Sequence, residues 1–355
     1  MRGAESPAAA IYSGRMSVSA RPRPSSDAPA PVSGPRFEIR HGGARAVVGS
    51  VAAVLCELEV DGHALTETVP TESLPPQGCG IVLAPWPNRV RGARWQLTEP
   101  DGSTSIQLLD LTDPRWGAAS HGLLRNTAYR LVEHTESSVE LAALIPPQHG
   151  WPFLLETSVR YEVEPDGLVV THHARNLGTR PAPWAVGAHP YFRVGATPVA
   201  DLELRMPAPV ALDVDDKLIP VGSHPVAGGE DLRAGLRVGD LDLNTTFALD
   251  GAGADESGDG DGDAGGATAP DARREIACLT GPDASTVLWA DPAFAWVQVF
   301  TPGDFPRPLG SAEPTGTAVA IEPMTAPPNA LNSGEGLAWI EPGASWSGSW
   351  GARRA

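Results

Sequence analysis

FLLETSVRYEVEPDGLVVTHHARN, residues 153–176, decides the fold. From Thr157 to Val163 the text alternates, with Val159, Tyr161 and Val163 on one side and Ser158, Arg160 and Glu162 on the other. That is the pattern of a strand with one face in a core and one in water. Glu164-Pro165-Asp166-Gly167 then makes a tight turn, because proline fixes φ early in it and glycine tolerates the reversal at its end. GLVVTHHARN returns as the second strand of the hairpin.

The same texture extends outward in both directions. FEIR (37–40), RAVVGSVAAVLCELEV (45–60), TSIQLLDL (104–111), AYRLVEH (128–134) and SVELAALI (138–145) precede the hairpin. STVLWA (285–290), FAWVQVFTP (294–302), TAVAIEP (317–323) and GLAWIEPGASWSGSW (336–350) follow it. Gly, Pro, Asp and Asn separate these runs, and no segment carries three turns of helical periodicity. Many short strands over some 300 residues predict an all-β architecture, an enlarged sandwich of antiparallel sheets.

Two segments depart from this texture. Residues 1 to about 34 are rich in Pro, Ala and Ser and cannot repay the entropy of ordering, which predicts a disordered tail. Residues 250–274, DGAGADESGDGDGDAGGATAPDAR and its flanks, form an acidic, glycine-rich insertion into the single domain expected from 35 to 355. Inside it Gly260, Gly262 and Gly265 match GxGxxG without a preceding strand or following helix, so no dinucleotide site is expected. Asp259, Asp261 and Asp263 resemble the start of a calcium loop, but Pro270 stands where its bidentate glutamate belongs.

Composition narrows the partners. With 26 Lys and Arg against 43 Asp and Glu the formal net charge is −17, which opposes nucleic acid and anionic membranes and suits a small molecule. Cys56, Cys79 and Cys278 are odd in number and form no CxxC, as expected for free thiols in a reducing cytoplasm. No apolar run is long enough to span a bilayer, and no secretory h-region with a cleavage site opens the chain. HExxH and GxSxG are absent, and His172 and His173 diverge on a strand, so neither a metal site nor a hydrolase elbow is expected.

The chemistry gathers in a few stretches. In VGAHPYFRV (186–194), Pro190 biases His189 to an extended backbone, a firm mount for a proton-transfer group. In APWPNRVRGARW (84–95), Asn88 and Arg89 follow two prolines and a tryptophan, so a rigid turn carries a guanidinium fork. In SHGLLRN (120–126), His121 precedes a glycine. Glu322 follows the apolar run Ala318 to Ile321 directly before Pro323, where a carboxylate must face solvent, another charge or a substrate. An imidazole and a carboxylate at strand ends can serve as general acid and base on opposite sides of a polyhydroxylated ligand. Trp86, Trp95, Trp116, Trp151, Trp184, Trp296 and Trp339 offer flat faces for sugar rings or simply fill the core.

Taken in order, Asn88-Arg89, His121-Gly122, GxHPYF (187–192), WxQVFTP (296–302) and EPMTAPPNALNSGEGL (322–337) resemble the aldose 1-epimerase, or galactose mutarotase-like, family across residues 37–351. The resemblance implies a β-supersandwich with a concave sugar-binding cleft and no cofactor. It implies Glu322 as the base on the anomeric hydroxyl and His189 as the acid on the ring oxygen, with Arg89, His121 and Asn88 holding the sugar. One position departs from the family pattern: in DLDLNTTFAL (240–249) the usual aspartate three residues before phenylalanine is Asn244, with Asp242 two residues away on the same face of the strand by alternation. A second departure is Asn329-Ala330-Leu331, where an aspartate and an aromatic are more usual. The primary expectation is anomer interconversion of a free hexose. The alternatives are a hexose 6-phosphate 1-epimerase, with Arg91, Arg94 or Arg125 holding the phosphate, and a sugar-binding or sensing sandwich without turnover.

Overall fold

The computed structural model describes residues 30–99, 101–249, 273–307 and 311–355. The hairpin forms as its alternation requires: Leu155–Glu164 pairs antiparallel with Gly167–Asn176, in a register that sets Val159 against His172 and Val163 against Leu168. Val159, Tyr161 and Val163 are buried, each such side chain contributing roughly 1.5–3 kcal/mol relative to exposure.

This hairpin lies within a nine-stranded sheet. In spatial order its strands are Arg130–His134, Ser138–Ile145, Leu155–Glu164, Gly167–Asn176, Ser345–Arg354, Ser285–Ala290, Arg274–Thr280, Glu203–Arg205 and Leu236–Arg237. A seven-stranded sheet runs in the order Pro220–Pro225, Val210–Val214, Asn244–Ala248, Trp296–Phe300, Ala320–Met324, Gly187–Ala188 and Val82–Leu83. One hydrophobic cluster joins Val159 and Tyr161 of the first sheet to Phe247, Val297, Val299 and Ile321 of the second. All-β architecture is therefore correct: among the described residues the one α-helix is Ala330–Ser333, and none is long and apolar enough to cross a membrane.

Alternation in the seven-stranded sheet places the polar residues. Phe247, Val297, Val299 and Ile321 enter the core, so Thr246, Gln298 and Glu322 must leave by the opposite face. They stand in one row, Thr246 paired with Gln298 and Gln298 with Glu322 across three adjacent strands.

Two readings of the sequence need adjustment, and two segments lie outside the described residues. Residues 30–34, assigned to the tail, are attached: Val32 donates its N–H to Thr71 O and Ser33 is buried, accepting from Arg36 Nε through its hydroxyl. Residues 1–29 and 250–272, with the glycine and aspartate patterns of the acidic insertion, lie outside the described residues. Glu322 does not end its strand, which continues through Pro323 to Met324, with Pro323 in register with Val297 and Met324 with Trp296 and Gly187.

Candidate active site

His189 follows directly on the two-residue strand Gly187–Ala188, which lies between the strand of Glu322 and Val82–Leu83. Both of its backbone groups are held by one neighbouring segment, the N–H donating to Ile81 O and the carbonyl accepting from Gly80 N. Its ring stacks on Tyr191, with centroids 5.4 Å apart, and meets the edge of His121, also at 5.4 Å. The expected rigid mount is present, built from these contacts as well as from Pro190.

Asn88 and His121 both hold positive φ, at 53° and 63°, a region that non-glycine residues enter at a cost. They are locked together, His121 donating its N–H to Asn88 O, while Arg89 pairs in register with Ser120. The glycine after His121 has a steric reason: a Cβ at Gly122 would collide with the carbonyl of Ala84.

These elements surround a cavity of about 360 Å³. Six of the seven residues singled out from the sequence line it: Asn88, Arg89, His121, His189, Asn244 and Glu322. Asp242 does not. The strand begins at Asn244, so the alternation that would put Asp242 on the same face has not yet started, and its side chain is exposed.

Glu322 and His189 do not stand on opposite sides of the cavity. His189 Nε2 is 3.4 Å from Glu322 Oε1, and both side chains are almost wholly buried. Burial opposes charge on each. It raises the Glu322 carboxyl to about 8, against a smaller pull downward from Arg89. It lowers the His189 imidazole to about 4, with Arg89 and Arg125 adding to the effect. At neutral pH the pair therefore holds one proton, which burial favours on the carboxyl. His121 is held well below its ordinary value, first by burial and then by His189, so it is neutral. The buried atoms Glu322 Oε2, His189 Nδ1 and His121 Nδ1 have no hydrogen-bond partner among the described residues. Buried polar atoms normally have partners, so these three mark where a polar ligand gains most.

Arg89 is anchored twice: Nε reaches Asp113 Oδ2 at 3.3 Å and an amino nitrogen donates to Asn88 Oδ1 at 3.2 Å. Gln298 is the main residue that the sequence reading passed over. Its amide nitrogen donates to Asn244 Oδ1 at 2.9 Å, and its amide oxygen accepts from Asn88 Nδ2 at 3.2 Å and from Thr246 Oγ1. A polar residue between Val297 and Val299 raises the same question as Glu322 after Ile321.

The remaining aromatics and arginines sort cleanly. Trp86, Trp95, Trp151, Trp184 and Trp296 are core. Trp116 lines the cavity, whereas Trp339 is exposed at a separate cavity with Phe153 and Glu341. Arg91 turns to Asp215 at 2.8 Å and Arg125 donates to Ser120 O; neither they nor Arg94 lines the site. Arg115 does line it, lying 4.9 Å over the Trp116 ring. It has no hydrogen bond or ion pair to another described residue.

The chain belongs to the aldose 1-epimerase family, whose sequence profile matches residues 35–351. It is 31% identical to the uncharacterized protein YihR of Escherichia coli K12 over 318 residues, 88% of this chain and 90% of that one. Among solved structures it is similar to a GalM/aldose epimerase homologue from C. elegans, with TM-score 0.73, 18% identity, and 90% and 98% of the two chains covered. A galactose 1-epimerase from Lactobacillus acidophilus superposes with TM-score 0.68 at 17% identity, covering 89% and 92%. At those identities the structures establish the galactose mutarotase-like fold, and the profile establishes the family.

Proposed function

We propose that the chain interconverts the α and β anomers of a free aldohexose by opening and reclosing the ring, with Glu322 and His189 moving the protons. The observation that carries this reading is the 3.4 Å contact between His189 Nε2 and Glu322 Oε1 at the wall of the cavity. The anomeric oxygen and the ring oxygen of a pyranose are both bonded to C1, so the base for one and the acid for the other must be neighbours. Groups on opposite sides of the sugar could not serve both.

The Glu322 carboxylate takes the proton of the anomeric hydroxyl. As C1=O1 forms, the bond from C1 to the ring oxygen breaks and its electron pair takes the proton of the His189 imidazolium. Rotation about C1–C2 presents the other face of the aldehyde. His189 then recovers its proton as the ring oxygen attacks C1, and Glu322 returns its own to O1. No electrons are exchanged with a cofactor, and each assisted transfer contributes roughly 10²–10⁴ in rate. The carboxylate–imidazolium arrangement holds the same single proton as the carboxyl–imidazole one, so reaching it needs a shift within the pair. Arg89 and His121 supply donors for the hydroxyls, which restrict the sugar to one orientation.

Polarimetry of freshly dissolved α-D-glucose and α-D-galactose tests this. Wild type should exceed buffer, and Glu322→Gln should lose about 10²-fold or more of that acceleration. Wild type no faster than buffer overturns the proposal, and saturable sugar binding by calorimetry would then leave the non-catalytic alternative.

Arg115 favours a second reading, a hexose bearing an anionic group such as a 6-phosphate. A cavity-lining guanidinium without a carboxylate partner among the described residues is available to a charged substituent. Equal kcat/KM for glucose and glucose 6-phosphate would dismiss it.

A further inference from the structure

Between the strands Thr104–Leu108 and Ala118–Ser120 the chain makes a small closed tip. Asp113 and Ala118 exchange both backbone hydrogen bonds, at 2.9 and 3.1 Å, and enclose Pro114, Arg115, Trp116 and Gly117. The tip is registered on its neighbour by Thr112, whose hydroxyl accepts from Ser120 N at 2.8 Å. Arg115 and Trp116 at its end line the cavity. The Asp113 carboxylate does not point at the sugar space; it meets Arg89 Nε at 3.3 Å, and its side chain is only 21% exposed. Arg89 in turn lies 5.9 Å from the Trp116 ring centroid.

We propose that Asp113 is a positioning residue of this site: one carboxylate both orients the Arg89 guanidinium and ties the Arg115–Trp116 tip across the cavity mouth. Alone, a guanidinium beside the buried His189 and Glu322 would be free to swing on its long side chain. Held at Nε by Asp113 and at an amino nitrogen by Asn88, it presents its remaining donors in a fixed direction. The same carboxylate offsets part of the positive field that Arg89 imposes on the proton-holding pair. The other ionisable groups beside the pair are His121 and Tyr191, both neutral, with the Arg125 charge acting on His121 and His189 and Arg115 lining the same cavity.

The catalytic part of this inference rests on the proton-transfer reading of Glu322 and His189; the geometric part does not. Asp113→Asn keeps an acceptor oxygen for Arg89 and removes the charge, so both the carboxyl and the imidazole of the pair should release protons at lower pH, by at least a few tenths of a unit. NMR titration of the His189 ring reads that shift in the protein alone, without turnover. Asp113→Ala should raise KM roughly tenfold with a smaller effect on kcat, since a misdirected fork loses substrate orientation, and Asp113→Glu should recover most of it. An unchanged His189 titration in Asp113→Asn, or a KM loss in Asp113→Ala that Asp113→Glu does not repair in a folded protein, overturns the proposal. A wild type without mutarotase activity would overturn the proton-transfer reading instead, while the NMR titration would still decide the role of Asp113.

Discussion

Gln298 is the register partner of Glu322 on the adjacent strand, and both side chains leave the sheet on the same face. With 4% and 2% exposure, they form a buried polar floor whose donors and acceptors cannot be satisfied by bulk water. Gln298 joins Asn88 to Asn244, residues more than a hundred positions apart on either side of His189. The Glu322 carboxylate thus stands beside an amide that ties both flanks of the cavity to one strand.

Removing that amide should therefore be felt at both flanks. Gln298→Ala leaves Asn88 Nδ2, Thr246 Oγ1 and Asn244 Oδ1 to find new partners, at about 1–3 kcal/mol for an unsatisfied buried group. We expect a lower melting temperature together with a KM several-fold higher. Calorimetric unfolding and initial-rate polarimetry check the two effects separately, and a variant with wild-type KM would show that the floor has no part in holding the sugar.

The shared proton gives the pH dependence. The pair gains a second proton near the His189 value of about 4 and loses its only proton near the Glu322 value of about 8. Below the first, no base is left for the anomeric hydroxyl; above the second, no acid is left for the ring oxygen. A bell-shaped kcat/KM with limbs near those values should follow, each limb belonging to the pair as a unit. A profile flat from about pH 3 to pH 9, measured by polarimetry corrected for buffer catalysis, would contradict it.

The hairpin at 153–176 was fully legible because its code is local: alternation sets faces, and Pro165 to Gly167 sets the turn. Glu322 was legible for a related reason, as a carboxylate at odds with the apolar run before it, and His189 because Pro190 gives its imidazole an extended mount. Gln298 obeys the same rule in WVQVF but was passed over, since an uncharged amide conflicts less visibly with its neighbours than a carboxylate does. Asp113 could not be found this way. Its role depends on Arg89 lying beside it in space, through the pairing of Arg89 with Ser120, and LTDPRWGAAS reads simply as a turn. Asp242 fails for the complementary reason: alternation applies only where there is a strand, and the strand starts at Asn244.

Away from the site, His224 reports on the edge of the seven-stranded sheet. Its Nδ1 lies 2.9 Å from Asp213 Oδ1 and its Nε2 2.8 Å from Glu230 Oε2. The Glu230 hydrogen bond first, and then Asp213, raise its proton affinity above the ordinary 6.5, although burial opposes them. A raised folded value stabilises the fold fully below 6.5 and ceases to do so as pH climbs through that raised value. His224→Gln should then lower the melting temperature at about pH 5.5 and have little effect at about pH 9. A difference that is constant or grows with pH would refute the charged role of His224.

Asn244 lines the cavity, and its side-chain chemistry gives a test of which substrates the cavity favours. Its Oδ1 is already engaged by Gln298 Nε2, which leaves its amide nitrogen, a donor, for a ligand. Asn244→Asp would keep the acceptor for Gln298 and turn the second position into a charged acceptor for a sugar hydroxyl. Arg115, which lines the same cavity and has no carboxylate partner among the described residues, would then share that cavity with an opposite charge. For a neutral hexose the added acceptor strengthens hydroxyl binding, so KM for galactose should fall several-fold, each charge-assisted bond contributing about 1.5–3 kcal/mol before desolvation. For a hexose 6-phosphate the new carboxylate repels the phosphate, and KM should rise. Paired measurement of the two KM values in wild type and Asn244→Asp checks both directions at once, and a parallel change for both sugars would mean that residue 244 does not read the charge of the substrate.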